Sequence, residues 1–430
     1  MKVDVVLCYE HWQRELLAII NLKIELEKKG FTVKLLNIQT GVSRFLESYI
    51  YEPEIVYYPW VYSNKELKRA RDFRGDCQKI INAQCEQLLS KRAQETGFFT
   101  IREQAKNAFH VSWGEISEKR YIDWGIEQEH IWDIGNINLE INMPEFNSCF
   151  YGRQQIAEKY NLDINKKWLL FCSNYKFAET YYHDIEEVEK RSPGILILAK
   201  EMKKSKKKIL EWMKCYLSEN NDVEIIYRPH PLEARDKKLD DLQKEITLFK
   251  YISDYSVNQW VRVCDICTTW GSTSVLDSVF INKASAYLIP GAYPDILNGD
   301  TEGICPVVDN YHDFEKLLKL KEIPNYECSK VFCGHITRTE NGSFDNMVNS
   351  IEQLYHKNKI SYFRSDETNY VKWARLSIAE KYKLIIFWIV KHLKIYCLLK
   401  SGQEQYKEAY DSKIREKQLY KLMKKGKKDE

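Results

Sequence analysis

The sequence has no long uninterrupted apolar run, no regular cysteine framework and no surplus of one charge. Each absence removes a class of protein. Residues 384–399 are the most apolar tail segment, yet Lys391, His392 and Lys394 interrupt them, and a bilayer span needs about twenty mostly apolar residues. The opening residues Met-Lys-Val-Asp-Val-Val-Leu-Cys carry no long apolar core, so they read as a first β-strand and not as a signal peptide. Twelve cysteines are scattered without periodic spacing, as expected of a reduced cytosolic chain. Cys264 and Cys267 form one C-x-x-C with no second pair, and they read as buried core thiols with no metal role. Sixty-five basic residues against sixty-two acidic ones leave a formal charge of +3, too balanced for a dedicated nucleic-acid binder.

What is present is a globular α/β pattern. A 44% hydrophobic and 13% aromatic composition excludes a mainly disordered chain, and 430 residues exceed one comfortable core. Residues 2–8 read as a strand, 14–29 as an amphipathic helix closed by Gly30, and 31–36 as the next strand, a right-handed βαβ unit. Strands at 54–58, 80–82, 110–113 and 131–135 continue the series. A second series starts at residue 167 and runs through strands at 223–227, 247–252, 264–268 and 284–289, separated by helices. The reading is two Rossmann-like domains facing across a cleft, with a C-terminal helical extension. The expected divisions are 1–145, an interdomain connection at 146–165, a second domain at 166–340, and helices with a basic tail at 341–430.

Two loops in the second series carry the chemistry. The strand ending at Arg228 runs into Pro-His-Pro, where a proline on each side of His230 limits the backbone. The strand ending near Thr269 runs into Trp-Gly-Ser-Thr-Ser. There Gly271 permits close approach, while Ser272, Thr273 and Ser274 offer hydroxyls at the start of a helix. Both loops follow strand carboxyl ends, where open α/β sheets bind ligands, and together they suit a phosphate carrying a sugar or polyol. The second loop is neither a Walker motif nor a Gly-x-Ser-x-Gly elbow.

The pair Tyr-Arg-Pro-His-Pro and Gly-Ser-Thr-Ser-Val-Leu-Asp-Ser resembles the donor half of GT-B glycosyltransferases of bacterial surface carbohydrate assembly. The relatives are the CDP-glycerol:glycerophosphate transferases and the bacterial sialyl- and Kdo-transferases with a His-Pro motif. The resemblance implies that His230 and the Ser272/Thr273 pair hold the phosphate of a cytidine nucleotide, with Arg228 and Glu233 as weaker carry-overs. It covers residues 165–300 well and the first half faintly, through Arg14-Glu15, Trp113-Gly114-Glu115 and residues 134–136. The Trp-His-Gly of the glycerophosphate transferases does not occur here, which favours a glycosyl donor over a polyol phosphate.

Metal-independent transfer needs a base for the acceptor hydroxyl proton. Glu86, Glu115 and Glu15 are the candidates, in that order, with His11 and Arg14 on the acceptor side. No Asp-x-Asp motif in a strand-end loop points to a metal, and no cofactor is expected. The expected partners are a nucleotide-sugar donor and a glycan or lipid-linked glycan acceptor. In the tail, Lys383, Lys391 and Lys394 share one helical side and mix with Tyr382, Trp388 and Tyr396, ahead of a lysine-rich end. That pattern suits a peripheral contact with an anionic cytoplasmic membrane face, or else a packed helix followed by a solvated tail. The alternatives in function are a polyol-phosphate transferase, a nucleotide-sugar epimerase of the same fold, and a non-catalytic scaffold.

Overall fold

The computed structural model describes residues 1–75, 77–178, 189–190, 193–231, 233, 237–291, 299–300, 303–321, 334–337, 341–358, 363, 377–393 and 403–426, without the side chains of residues 42, 92, 391–393 and 403–406. The chain forms two compact units. Met1–Gln87, Phe99–Ile141 and Gly334–Glu430 make the first; Leu88–Phe98 and Asn142–Cys333 make the second. The C-terminal helices, read from the sequence as a separate extension, thus group with the N-terminal strands.

In the first unit, β1 (Lys2–Tyr9), β2 (Val33–Asn37), β3 (Glu52–Tyr58), β4 (Lys79–Asn82), β5 (Phe109–Ser112) and β6 (Ile131–Asp133) form one sheet in the order β2-β1-β3-β4-β5-β6. Every pairing is parallel. Val5, Val6, Leu7, Cys8 and Tyr9 of β1 are fully buried, the near-continuous apolar strand that a sheet covered on both faces requires. The chain steps from β1 to β2 on one side, then returns to lay β3 on the other, so the topological switch lies between β1 and β3. Helix α1 (Trp12–Lys28) buries Leu16, Leu17, Ile20 and Ile24 at helical spacing. Helix α2 (Gly41–Ile50) was not among the expected elements, although Val42, Phe45, Leu46, Tyr49 and Ile50 recur at helical spacing; its Leu46 and Tyr49 pack with Leu384, more than three hundred residues on. Helix α3 (Glu115–Asp123) follows β5.

In the second unit, β7 (Lys167–Cys172), β8 (Val223–Arg228), β9 (Phe249–Tyr251), β10 (Ile266–Thr269), β11 (Ala284–Leu288) and β12 (Val307–Val308) are parallel in the order β12-β11-β10-β7-β8-β9. Here the switch lies between β7 and β10. Helix α4 (Ile195–Glu219) precedes β8, α5 (Val257–Val263) precedes β10, and α6 (Val275–Phe280) follows it. Trp168 of β7 and Trp260 of α5 share one buried cluster. The predicted strand at 264–268 begins at Ile266, because Cys264 caps α5. Between β8 and β9 the described residues include the helix Lys237–Glu245.

The last three helices return to the first unit. In α7 (Gly342–His356), the Tyr355 hydroxyl donates to Asp4 Oδ1 at 2.9 Å and the Tyr355 carbonyl accepts from Lys79 Nζ at 2.9 Å. Then α8 (Ile378–Leu393) packs against α2. In α9 (Gln403–Gly426), Ser412 Oγ accepts from Asn37 Nδ2 at 2.9 Å, and Glu416 accepts from the Tyr9 hydroxyl at 2.8 Å. The Arg415 guanidinium lies 4.8 Å from the Trp12 ring centroid. Lys394 and Tyr396 of the tail pattern lie outside the described residues. Among the described residues no helix is long and apolar enough to cross a membrane.

Candidate functional site

The carboxyl ends of β10, β7 and β8 are level, since Thr269 pairs with Cys172 and Cys172 with Arg228. Three loops therefore leave the sheet side by side at its switch point, where such sheets bind ligands. The two loops singled out in the sequence are not neighbours. They follow β10 and β8, two strand spacings or about 10 Å apart, and the loop after β7 lies between and joins them. Ser173 Oγ accepts from the His230 backbone N–H at 3.0 Å, and Asn174 Nδ2 donates to the Gly271 carbonyl at 3.2 Å. Below them Tyr175 and Trp270 pack ring against ring with centroids 5.3 Å apart. Ser173 and Asn174 were missed by sequence reasoning, although polar residues directly after an apolar strand were the available signal.

The hydroxyl loop is set for donation. Ser272 Oγ accepts from the Ser274 backbone N–H at 3.3 Å and lies 3.1 Å from Ser274 Oγ, which donates to it. With its lone pairs so engaged, the Ser272 proton is directed elsewhere. Gly271 has φ +56°, the left-handed region that a side chain disfavours, and Ser272, Thr273 and His230 are each half-buried. Helix α6 spans six residues, so the loop hydroxyls matter more here than a long helix dipole.

Arg228 and Glu233 have inward partners. Arg228 is 7% exposed, its guanidinium donates to the Tyr255 carbonyl at 2.9 Å, and among the described residues its Nε has no hydrogen-bond partner. Burial holds it below the ordinary arginine value, with Cys172 and Asp277 opposing. It is a buried positive charge behind the loops, and it faces no open surface. Glu233 takes the Tyr227 hydroxyl at 2.7 Å on Oε1, where Lys206 Nζ also lies at 3.2 Å, and it takes Ser173 Oγ on Oε2. Its carboxylate braces the His230 loop from below. Asp277 is likewise internal, accepting from Asn142 Nδ2 at 2.9 Å and Asn258 Nδ2 at 2.8 Å.

The first unit has a polar cluster at its own switch point. Glu10 and His11 follow β1, Trp60 follows β3, and Cys85 and Glu86 follow β4. Arg14 joins two of the sequence-derived candidates, donating to Glu86 Oε1 at 2.5 Å and to Glu15 Oε1 at 2.7 Å. Glu15 is buried and also accepts from the Glu10 N–H at 2.8 Å, so its oxygens are committed to holding the loop. Glu86 is about a third exposed. Burial, then Arg14, lowers the His11 imidazole from its ordinary value against the pull of Glu10, Glu15 and Glu86, and Gln39 Nε2 lies 3.0 Å from its Nδ1. Trp60 Nε1 donates to Glu10 Oε2 at 3.1 Å; Glu10 and Trp60 had no sequence signal of their own.

Glu115 stands apart from this cluster, exposed at the first position of α3. The preceding Gly114 has a structural reason: a Cβ there would sit 2.8 Å from the Gly334 carbonyl oxygen. Cys264 and Cys267 are buried free thiols, both pushed up by burial, and among the described residues no acidic, histidine or cysteine group is arranged to hold a metal. A cavity of about 490 Å³ lies between β2 and α9, lined by Lys34, Glu47, Tyr51, Lys417 and Tyr420 among others. It flanks β2 along its length and is not at the switch point.

The sequence matches no family model and no curated protein. Similarity appears among solved structures. A variant of the wall teichoic acid polymerase TagF has TM-score 0.53 and 10% identity, over 82% of this chain and 89% of that one. The MnaA–UDP structure from S. aureus has TM-score 0.48 and 13% identity, over 82% and 96%. The UDP-GlcNAc 2-epimerase of Methanocaldococcus jannaschii has TM-score 0.46 and 14% identity, over 82% and 100%. At these identities the likeness is one of fold: a two-unit α/β chain with two six-stranded parallel sheets, as in GT-B proteins.

Proposed function

We propose that this protein is a metal-independent glycosyltransferase that takes a sugar from a nucleotide-activated donor, a CMP-sugar first among them, to a surface glycan or lipid-linked glycan. The observation that supports the reading is the joining of three strand-end loops through Ser173 and Asn174, which ties the backbone of the His230 loop and of the Gly271 loop together at the carboxyl end of one sheet. In this reading His230, Ser272 and Thr273 hold the donor phosphate, and buried Arg228 supplies a fixed positive charge behind it. Such preorganised donors stabilise the negative charge on the departing nucleotide without reorganising at the moment of transfer. Glu233 and Lys206 act as positioning residues through Ser173 and the His230 loop.

On the acceptor side, Glu86 takes the proton from the attacking hydroxyl while Arg14 orients its carboxylate, with a neutral His11 beside them. General-base assistance of this kind is worth about 10²–10⁴-fold. Glu86→Gln is expected to lower kcat by that order while leaving nucleotide binding intact. Equal kcat in the variant would remove Glu86 from the role.

The deciding experiment is a thermal-shift screen with CMP, CDP, UDP and GDP, on wild type and on the Ser272→Ala/Thr273→Ala variant. A shift with a cytidine nucleotide, weakened in the double variant and accompanied by loss of transfer in His230→Ala, is expected. No shift with any nucleotide would overturn the assignment. A second reading, transfer of a polyol phosphate, is supported by TagF, which shares the fold and has a structure with CDPG. It predicts that the product gains phosphorus along with carbon, which mass spectrometry reads directly.

A further inference from the structure

Helix α8 is apolar on two opposite faces, and the fold covers one of them. At about 100° per residue, Leu384, Phe387 and Val390 fall on one arc. Leu384 and Val390 are buried, and Phe387 packs with Leu46 and Tyr49 of α2 and lies 6.3 Å from the Phe45 ring. On the other arc, about 160° wide, lie Ile378, Tyr382, Ile385, Ile386 and Trp388, each between 47% and 75% exposed. Single exposed apolar residues are ordinary, but a contiguous stripe of large ones marks an interaction surface.

We propose that this outer arc of α8 is the face on which the protein lies on an anionic lipid bilayer. The helix has 16 residues, too short to span a bilayer but long enough to lie in its interface, with isoleucines dipping in and an indole and a phenol at headgroup level. The charge on the helix fits that occupant. Lys381 lies within the outer arc, and exposed Lys383 falls about 60° beyond its edge, beside Val390, from where a long stem reaches back toward phosphates. The one acid there, Glu380, is turned back to the Ser377 backbone N–H and hydroxyl at 2.8 Å each. The inner arc fixes α8 to the first unit, so the outer arc would hold that unit at the surface where a lipid-linked acceptor resides. This inference deepens the transferase reading and rests on it only for the identity of the acceptor.

The test uses the full chain and vesicles of phosphatidylcholine with or without phosphatidylglycerol. Wild type is expected to sediment with the anionic vesicles more than with neutral ones, and an Ile378→Gln/Ile385→Gln/Trp388→Gln variant to partition at least about tenfold less. All three residues are exposed, so circular dichroism and the melting temperature should match wild type; an Ile386→Gln variant provides a milder second step in the same direction. Equal partitioning of wild type and the triple variant, or no vesicle binding by wild type, would overturn the proposal. So would a wild-type dimer in analytical ultracentrifugation that the triple variant converts to monomer, since the arc would then face a second copy. The nucleotide thermal shift should be the same in both proteins. Its absence from both would sink the transferase reading and leave the bilayer face standing.

Discussion

Single residues in this protein are mostly explained by what they touch inside. His110, on β5, is fully buried; its Nδ1 lies 3.0 Å from Asn82 Nδ2 and its Nε2 3.3 Å from the Lys106 carbonyl. An imidazole that accepts from an amide on one side and donates to a carbonyl on the other is satisfied only when neutral. Burial, with His130 adding to it, depresses it to about 3 against the backbone bonds. Its folded value lies below the unfolded value of about 6.5, so the unfolded chain binds the extra proton between them. The stability it contributes is complete above about pH 6.5 and is lost as pH falls toward 3, by at most about 1.4 kcal/mol per pH unit. Urea midpoints for wild type and His110→Gln should therefore diverge less at pH 5 than at pH 7, and parallel pH dependence would refute the effect. Glu233 makes the same point about charge. The family resemblance makes it a weaker donor-binding carry-over, but a carboxylate that shares buried space with Lys206 and two hydroxyls is held to them by the cost of desolvation.

At the level of elements, strand ends and close approaches decide where function can sit. Trp113-Gly114-Glu115 resembles the family only faintly in sequence. Its structural role is to receive a returning segment: Ile116 donates to the Gly334 carbonyl at 2.8 Å and Thr337 donates to the Trp113 carbonyl at 2.6 Å. A methyl at Gly114 would meet main-chain atoms at 2.8, 2.9 and 3.0 Å, which cannot rotate away as a side chain could. Gly114→Ala is expected to cost about 1–3 kcal/mol in chemical denaturation, and a change under 0.5 kcal/mol would mean the segment moves freely. Helix α2 shows the reverse case. Its sequence Gly-Val-Ser-Arg-Phe-Leu-Glu-Ser-Tyr-Ile is rich in β-branched, aromatic and hydroxyl residues of middling helix propensity. Its apolar Val42, Phe45, Leu46, Tyr49 and Ile50 nevertheless recur at helical spacing, a local signal that the expected elements omit, and Leu384 packs on Leu46 and Tyr49 from far along the chain.

Over the whole molecule, the chain returns to where it began. Residues 1–145 look like a complete domain in sequence, yet α7 and α9 bond to Asp4, Lys79, Asn37 and Tyr9 of its strands. Expressed alone, residues 1–145 should expose that apolar edge and give a poorly dispersed amide spectrum or aggregate; a well-dispersed spectrum would show the C-terminal helices to be dispensable. The α/β class, two parallel sheets and most strands were set by the sequence itself, because apolar runs of strand length alternating with helical periodicity are local facts. So were the Pro-His-Pro and Gly-Ser-Thr loops as strand-end features. Only the tertiary structure decided that a third loop, at Ser173 and Asn174, stands between them, that Arg14 ties Glu15 to Glu86, and that Arg228 and Glu233 turn inward. Strand order and burial depend on contacts between residues far apart in the chain, and neither periodicity nor spacing encodes which strand comes to lie beside which.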